Sequence, residues 1–367
     1  MRIIQLIECL SCGDGIGNHT ILTHHLLKQA GYQVKTYAGE IAPNVPKGIA
    51  RLFSDRLKAD ANDILLLQFG ISGPISERIA SFPCKKIMVY HNITPPEFFS
   101  EYDFEMYERT KQGYRLVEKW RKEKTFDAVF AVSPYNHKQL LSMGFSEEST
   151  VCLPGCLVPF GKYREAPDLS TLKKYGDGIT NILFVGRISP NKKQQDIVRA
   201  FAYYQRHIDQ SARLIFAGGG GDSAYGRSLK DFVKNLNLEH VIFPGYISSA
   251  TLSALYQCAH IFVCMSEHEG FCIPLIEAMF FDVPILAYRA AAIPDTLGDS
   301  GVLLEQKDPV LTAKWIERIV KDKTLRQKIL LEQRSRLKDF DQEVIGLKIL
   351  NAIDLFIRNT NDGRRYR

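Results

Sequence analysis

The strongest constraint in this chain is a rhythm. Short apolar runs alternate with stretches of helical spacing, and the alternation breaks once near the middle. In the first half the runs are Ile3–Glu8, Gln33–Ala38, Asp63–Phe69, Lys85–His91 and Ala128–Ser133. Each is strand-length, and several carry Val, Ile and Leu at consecutive positions, as strands buried on both faces do. Between the first two, NHTILTHHLLKQAG places Ile21, Leu22, Leu26 and Leu27 at helical spacing and reaches a stop signal at Gly31. Strands alternating with helices predict parallel βαβ units and a doubly wound α/β sheet. Around PGCLVPFGKYREAPDLSTLKKYGDG, proline, glycine and charge replace the strands, so a linker is expected near residues 160–178. The rhythm restarts at Asn181–Arg187, Ala212–Gly218, His240–Gly245, Ile261–Met265 and Pro284–Tyr288, and the tail from Val310 reads as helix. A length of 367 residues suits two Rossmann-like domains. The expected division is 1–165, 166–340, and a C-terminal helix and tail over 341–367 that returns to the first domain.

No apolar run approaches the ~18 residues that suggest a membrane span. The N-terminal run leads directly into a glycine loop without a small-residue cleavage site, so it reads as a first strand and a cytoplasmic protein is expected. A net charge of +6 suits a phosphorylated substrate or an anionic surface, and no nucleic-acid partner is expected. Eight cysteines in a chain this long are not a disulfide framework. Cys9-x-x-Cys12 and Cys152-x-x-x-Cys156 raise a zinc site. Yet Cys9 closes a strand and no His or Cys cluster completes a four-ligand set, so buried free thiols are the expectation.

Four stretches carry candidate chemistry. SCGDGIGNHT follows the first strand and opens the first helix, but Asn18 stands where a dinucleotide fingerprint needs glycine, and no acid follows the second strand to hold a ribose. Gly15 and Gly17 still let backbone N–H groups approach a phosphate or sugar hydroxyl; a tight strand-to-helix turn is the equal alternative. FVGRISPNKK places Gly186, Arg187 and Lys192 after a strand and before a helix, where two fixed cations suit a leaving diphosphate. In SEHEGFCIPLIEAM, Glu269 is expected on a strand-to-helix loop and Glu277 on the first turn of the helix that Pro274 opens. Each carboxylate can grip a diol, Glu277 that of a ribose and Glu269 that of a sugar ring. The Gly270, Phe271, Cys272 and Ile273 backbone lies beside that ring. Glu277 alone would instead be read as complementing the helix dipole. His91 ends a strand, where a histidine binds a hydroxyl, assists a proton, or is structural. Ser72-Gly73 is a weak binding signal, and Asp339-x-Asp341 has metal-site spacing but reads as helix capping by Asp341.

VGRISPNKK, AGGGG…VIFPGYIS and SEHEGFCIPLIEAMFFDVPILA, in that order, resemble the retaining glycosyltransferases of family 4, which have the GT-B fold. The resemblance covers most of the second domain, the E-x7-E of Glu269 and Glu277 being its most specific piece. It implies two Rossmann-like domains facing across a cleft and transfer from a nucleotide-diphosphate sugar with no metal ion and no cofactor. By the same resemblance Arg187 and Lys192 hold the diphosphate, Glu277 the ribose and Glu269 the donor sugar, while His91 reaches the transferred sugar. Cys272 departs from the glycine of many members, and Asp295 stands where a glutamate is common. The implied reaction moves a hexose, with mannose from GDP-mannose as first guess, to a glycan or lipid-linked acceptor in surface polysaccharide synthesis. The aromatic and basic run Phe98–Lys124 is suited to a peripheral contact with an anionic membrane, or to an amphipathic helix covering the first domain. A UDP-sugar transferase, a same-fold hydrolase or epimerase, and a non-catalytic nucleotide-sugar-binding protein are the alternatives.

Overall fold

The computed structural model describes residues 1–54, 56–153 and 155–361. They form two compact units: Met1–Glu97 with Phe104–Pro159 and the chain from Phe340, and Phe98–Asp103 with Phe160–Asp339.

The first unit is built on β1 (Ile3–Leu10), β2 (Val34–Ile41), β3 (Ala50–Leu52), β4 (Ile64–Phe69), β5 (Lys85–Tyr90), β6 (Ala128–Ala131) and β7 (Thr150–Cys152). They pair in parallel in the order β3-β2-β1-β4-β5-β6-β7. Every residue of β4 is buried, which accounts for its unbroken ILLL. Leu65, Leu67, Phe69, Met88 and Trp120 belong to one core cluster. Strand order reverses between β1 and β4, so the loops after these two strands flank a switch point, where open α/β sheets bind ligands.

The second unit repeats the plan with β8 (Asn181–Val185), β9 (Arg213–Ala217), β10 (Val241–Gly245), β11 (Ile261–Cys264), β12 (Ile285–Tyr288) and β13 (Val302–Leu304). Its parallel order is β10-β9-β8-β11-β12-β13. Here the switch point lies between β8 and β11, and the loops after these strands carry Arg187, Lys192 and Glu269.

Three features differ from the sequence expectation. The expected linker is folded: helices Phe160–Tyr163 and Leu169–Tyr175 belong to the second unit, which begins at Phe160 rather than 166. Phe160 stacks on Phe280 with ring centroids 5.2 Å apart, so its apolar area outweighs the surrounding proline and charge. Strands β3, β7 and β13 have no counterpart among the apolar runs; each has three residues and lies at a sheet edge. The run Phe98–Lys124 is divided. Phe98–Asp103 belongs to the second unit, where Tyr102 meets Tyr225 edge-on at 5.2 Å. Helix Phe104–Glu123 is amphipathic and buries Leu116, Val117 and Trp120 in the first unit.

The C-terminal helix Gln342–Asn361 does return to the first unit. Tyr32 donates to Asp354, and a Cβ at Gly346 would touch the Leu26 side chain at 3.1 Å. Asp341 precedes this helix and accepts the Glu343 N–H at 2.8 Å, the expected capping role. No described helix is long and apolar enough to cross a membrane.

Candidate functional site

In the second unit, three glycine-bearing loops meet by backbone contact. Gly186 and Gly218 have φ of +144° and +151°, and a Cβ at Gly218 would lie 2.1 Å from the Gly186 carbonyl oxygen. The Ile188 N–H donates to the Gly219 carbonyl at 2.7 Å, and the Gly218 N–H to Gly245 at 3.1 Å. Arg187 leaves this frame exposed, and no acid pairs with it among the described residues.

The loop after β8 is stitched to the loop after β11 by Asn191. Its buried amide donates to the His268 carbonyl at 3.0 Å, and its own carbonyl accepts the Glu267 N–H at 2.9 Å. This fixes Lys192 against Glu269, Nζ to Oε2 at 2.5 Å, with side-chain exposures of 22% and 9%. Burial works to lower the Lys192 pKa, but the Glu269 charge and hydrogen bond outweigh it and hold the ammonium above its ordinary value. Beside this pair, Glu267 takes Lys307 at 2.8 Å and Lys193 at 3.2 Å. Burial works to raise the Glu267 carboxyl, and the two lysines bring it below its ordinary value. Sequence reading missed Asn191 and Glu267. Both stand inside the quoted motifs, yet a polar residue on a loop looks the same whether it faces water or a second loop.

Glu277 sits one turn deeper than expected. The helix runs Ile273–Phe280 and has no acid in its first turn, so the dipole alternative loses its position. The carboxylate is 7% exposed and held by two phenols: Tyr163 donates to Oε1, and Tyr256 to Oε2 at 2.8 Å. Burial pushes the Glu277 carboxyl up, and the two hydroxyls act against that shift. Glu269 and Glu277 therefore have separate partners.

The intervening loop is tied down as well. Thr296 donates its hydroxyl to the Phe271 carbonyl, and the Ala292 N–H donates to the Glu269 carbonyl at 3.3 Å. Asp295, on the same short helix as Thr296, has its carbonyl held by Arg336 at 2.5 Å. Cys272 is buried and left-handed, with φ 68° and ψ 63°. Ligating atoms of Cys264, Glu269 and Cys272 lie within 4.8 Å of one another, the one such grouping among the described residues. The cysteine pairs singled out by spacing do not form one.

In the first unit the glycine loop after β1 corrects an expectation. Gly17 is required by space, since a Cβ there would lie 1.9 Å from the Ser11 carbonyl oxygen. Its N–H is taken by the Asp14 carboxylate at 2.8 Å, so this donor caps helix Gly15–Gln29 rather than facing a ligand. Gly15 begins the helix and is exposed. Ser72 donates to the Arg109 carbonyl at 2.6 Å, while Gly73 leaves room for the buried Glu8, whose carboxylate accepts the Ser76 N–H at 2.6 Å.

His91 stands at the end of a polarised amide relay. Gln5 donates Nε2–H to the Thr20 carbonyl at 3.0 Å, an acceptor that cannot be reversed. Its Oε1 must then accept from Gln68 Nε2, at 3.0 Å, which turns Gln68 Oε1 toward His91 Nε2 at 2.6 Å. His91 Nε2 therefore carries the proton and Nδ1 keeps its lone pair. Burial first, and then His19 with its ring centroid 5.2 Å away, holds His91 well below the ordinary imidazole pKa. The ring is neutral at physiological pH.

Residues 175–336, within the second unit, match the family described as Glycosyl transferases group 1. Over 181 residues the chain is 29% identical to the N-acetyl-alpha-D-glucosaminyl L-malate synthase of Bacillus anthracis, covering 48% of this chain and 45% of that protein. It is 24% identical over 175 residues to the O-antigen chain mannosyltransferase B of Escherichia coli, covering 47% of this chain and 45% of that one. The chain thus spans less than half the length of these curated relatives. Among solved structures, Anabaena HepE in complex with UDP-glucose superposes with a TM-score of 0.74 at 18% identity, over 96% of this chain and all of that one. The fold is the GT-B fold.

Proposed function

We propose that this chain, whose residues 175–336 match glycosyl transferases group 1, is a retaining, metal-independent glycosyltransferase. It moves a hexose from a nucleotide-diphosphate sugar to a glycan or lipid-linked acceptor in surface polysaccharide synthesis. The observation that carries the proposal is the Lys192–Glu269 pair, 2.5 Å apart and largely buried on adjoining loops of one switch point. A cation and an anion held together there suit the two ends of the bond that breaks. Lys192, with Arg187 from the same loop, meets charge gathering on the departing diphosphate; Glu269 holds the hydroxyls of the sugar, which becomes cationic. Such preorganised groups contribute about 2.7–4 kcal/mol each where measured.

Glu277 is assigned to the ribose, with Tyr163 and Tyr256 orienting its carboxylate. The Gly186 turn and the Gly270–Ile273 backbone line the same donor site. His91, neutral with Nδ1 free to accept, is assigned to a hydroxyl of the transferred sugar. A neutral imidazole can accept a hydrogen bond without repelling a developing oxocarbenium ion. No enzyme nucleophile is assigned; the acceptor attacks on the face the diphosphate leaves, and the diphosphate takes the acceptor's proton. The work of the protein is positioning and charge stabilisation.

GDP-mannose is the first donor to test, a reading supported by the mannosyltransferase relative. A UDP-sugar is the second, supported by the UDP-glucose complex of the Anabaena protein. Thermal stabilisation by GDP, UDP, ADP and dTDP, each with and without EDTA, separates them, because a ligand of the folded state raises Tm by mass action. Stabilisation by GDP alone and indifference to EDTA support the GDP-sugar reading; preference for UDP replaces the donor. Binding by none sinks the diphosphate assignment of Arg187 and Lys192. Proton NMR of the product then reads the anomeric configuration, and inversion would overturn the retaining mechanism. Release of free sugar without acceptor would identify a hydrolase, and binding without turnover a non-catalytic protein.

A further inference from the structure

We propose that Cys264, Glu269 and Cys272 form a binding site for a thiophilic divalent cation, zinc or cadmium. One ligand atom from each lies within 4.8 Å of the other two, and all three residues are buried. Bond lengths of about 2.3 Å to sulfur and about 2.0–2.2 Å to a carboxylate oxygen place tetrahedral ligands roughly 3.5–4 Å apart, so closure asks for only a small contraction. The set is two sulfurs and one oxygen, which selects zinc or cadmium over magnesium or manganese.

Two further observations favour a ligand role for these side chains. Cys272 occupies a left-handed conformation at φ 68°, where only glycine stands without steric cost. That conformation leaves its sulfur within 4.8 Å of ligand atoms of both Cys264 and Glu269. The charge count also closes. Binding M2+ releases one proton from each thiol to solvent, and two thiolates plus one carboxylate leave the complex at −1. Lys192, 2.5 Å from Glu269 Oε2, supplies the compensating positive charge. A carboxylate oxygen of Glu269 joins the two sulfurs, and a water completes four-coordination. Cys264 also contacts the Ser266 hydroxyl at 3.3 Å, which orients its sulfur from outside the ligand set.

Occupation and donor binding then exclude each other, because both use Glu269. This part rests on the function proposed above; metal binding itself does not. The cation is therefore an inhibitor.

The test is titration of the full-length protein, kept in a non-thiol reductant, with Cd2+, followed by thiolate-to-cadmium charge-transfer absorption and by competition with Zn2+. One equivalent of Cd2+ is expected to develop a band that Zn2+ abolishes. Cys264→Ser and Cys264→Ala should each weaken that step at least ~100-fold, as loss of a direct ligand must exceed the 10–100-fold seen for second-shell partners. Retained Tm in either variant shows that the fold is intact. A band of undiminished affinity in both would place the metal elsewhere, at Cys9 and Cys12 for example, and overturn the site; absence of any band overturns it outright. In the transfer assay, Zn2+ inhibition should be relieved in Cys264→Ser, whose side chain takes no part in donor binding. Cadmium bound at Cys264 without inhibition would leave the metal site standing and remove Glu269 from the donor site.

Discussion

Tyr256→Phe removes a hydroxyl whose short hydrogen bond goes to a buried charge and whose longer contact, at 3.4 Å, goes to the Pro274 carbonyl. The Tyr256 ring is fully buried and stacked on Phe281, centroids 5.1 Å apart at 8°, so phenylalanine preserves the packing. What disappears is the hydroxyl 2.8 Å from Glu277 Oε2. A hydrogen bond to a charged group contributes about 1.5–3 kcal/mol and one between neutral groups about 1 kcal/mol. Burial already holds the Glu277 carboxyl above its ordinary 4.5, and losing a donor raises it further, about one unit per 1.36 kcal/mol. A carboxyl raised in the folded state favours folding when protonated. Its stabilising contribution is complete below the ordinary value and is lost as pH rises through the folded-state value. Tyr256→Phe deepens that loss. The deficit against the parent protein should therefore grow from about 1 kcal/mol near pH 4.5 to about 2 kcal/mol near pH 8. For a unit of this size 1 kcal/mol moves Tm by about 2–4 °C, so the second unit should melt about 2–4 °C lower in acid and about 4–8 °C lower at pH 8. Scanning calorimetry across that range reads it directly, and repeating it with Glu277→Gln should remove the pH dependence. An equal deficit at both ends would refute the charge-assisted bond, whatever the mean destabilisation.

Glu269→Gln should lower turnover about 100- to 1,000-fold in an initial-rate assay, the cost of removing one preorganised charge from a transition state; a loss under ~10-fold would take Glu269 off the donor sugar. Lys192→Met leaves Glu269 without its counter-charge and should destabilise by up to about 3 kcal/mol, the low end for a buried pair because Lys192 keeps 22% exposure. The Lys192→Met/Glu269→Leu double variant should regain stability in denaturant melts but not activity. Nitrogen-15 NMR of the His91 ring should show the Nε2–H tautomer and no protonation between about pH 6 and 7. Gln68→Leu should erase the tautomer preference, and an unchanged spectrum would break the amide relay. Gly218→Ala, whose Cβ would stand 2.1 Å from the Gly186 oxygen at φ +151°, should cost about 2 kcal/mol or more in thermal unfolding.

The parts of the fold legible in the sequence were those written by local spacing. Fully buried β4 and β11 leave unbroken apolar runs, and Pro274 marks its helix start correctly. The edges were harder. β3, β7 and β13 have three residues each and owe their existence to a neighbouring strand, so no apolar run announces them. Residues 160–178 hide their helices for a different reason. Their buried aromatics, Phe160, Tyr163 and Tyr175, are scattered among charges and prolines, and their burial comes from residues such as Phe280 far along the chain.

For the candidate site, sequence alone determined which residues fall on the loops after β8 and β11. The side-chain period of strand and helix and the chirality of the chain fix that much. The tertiary structure decided what each side chain meets. Lys192 finds Glu269 across 77 positions, Tyr163 finds Glu277 across 114, and Gln5 finds Gln68 across 63. It also withdrew the Gly17 N–H from ligand duty and gathered Cys264, Glu269 and Cys272 into one donor set. The physical reason is one of range. Propensity and capping act over a few residues, whereas the pairing of a buried charge is chosen by the packing that excludes water from it, and that packing exists only once distant segments have come together.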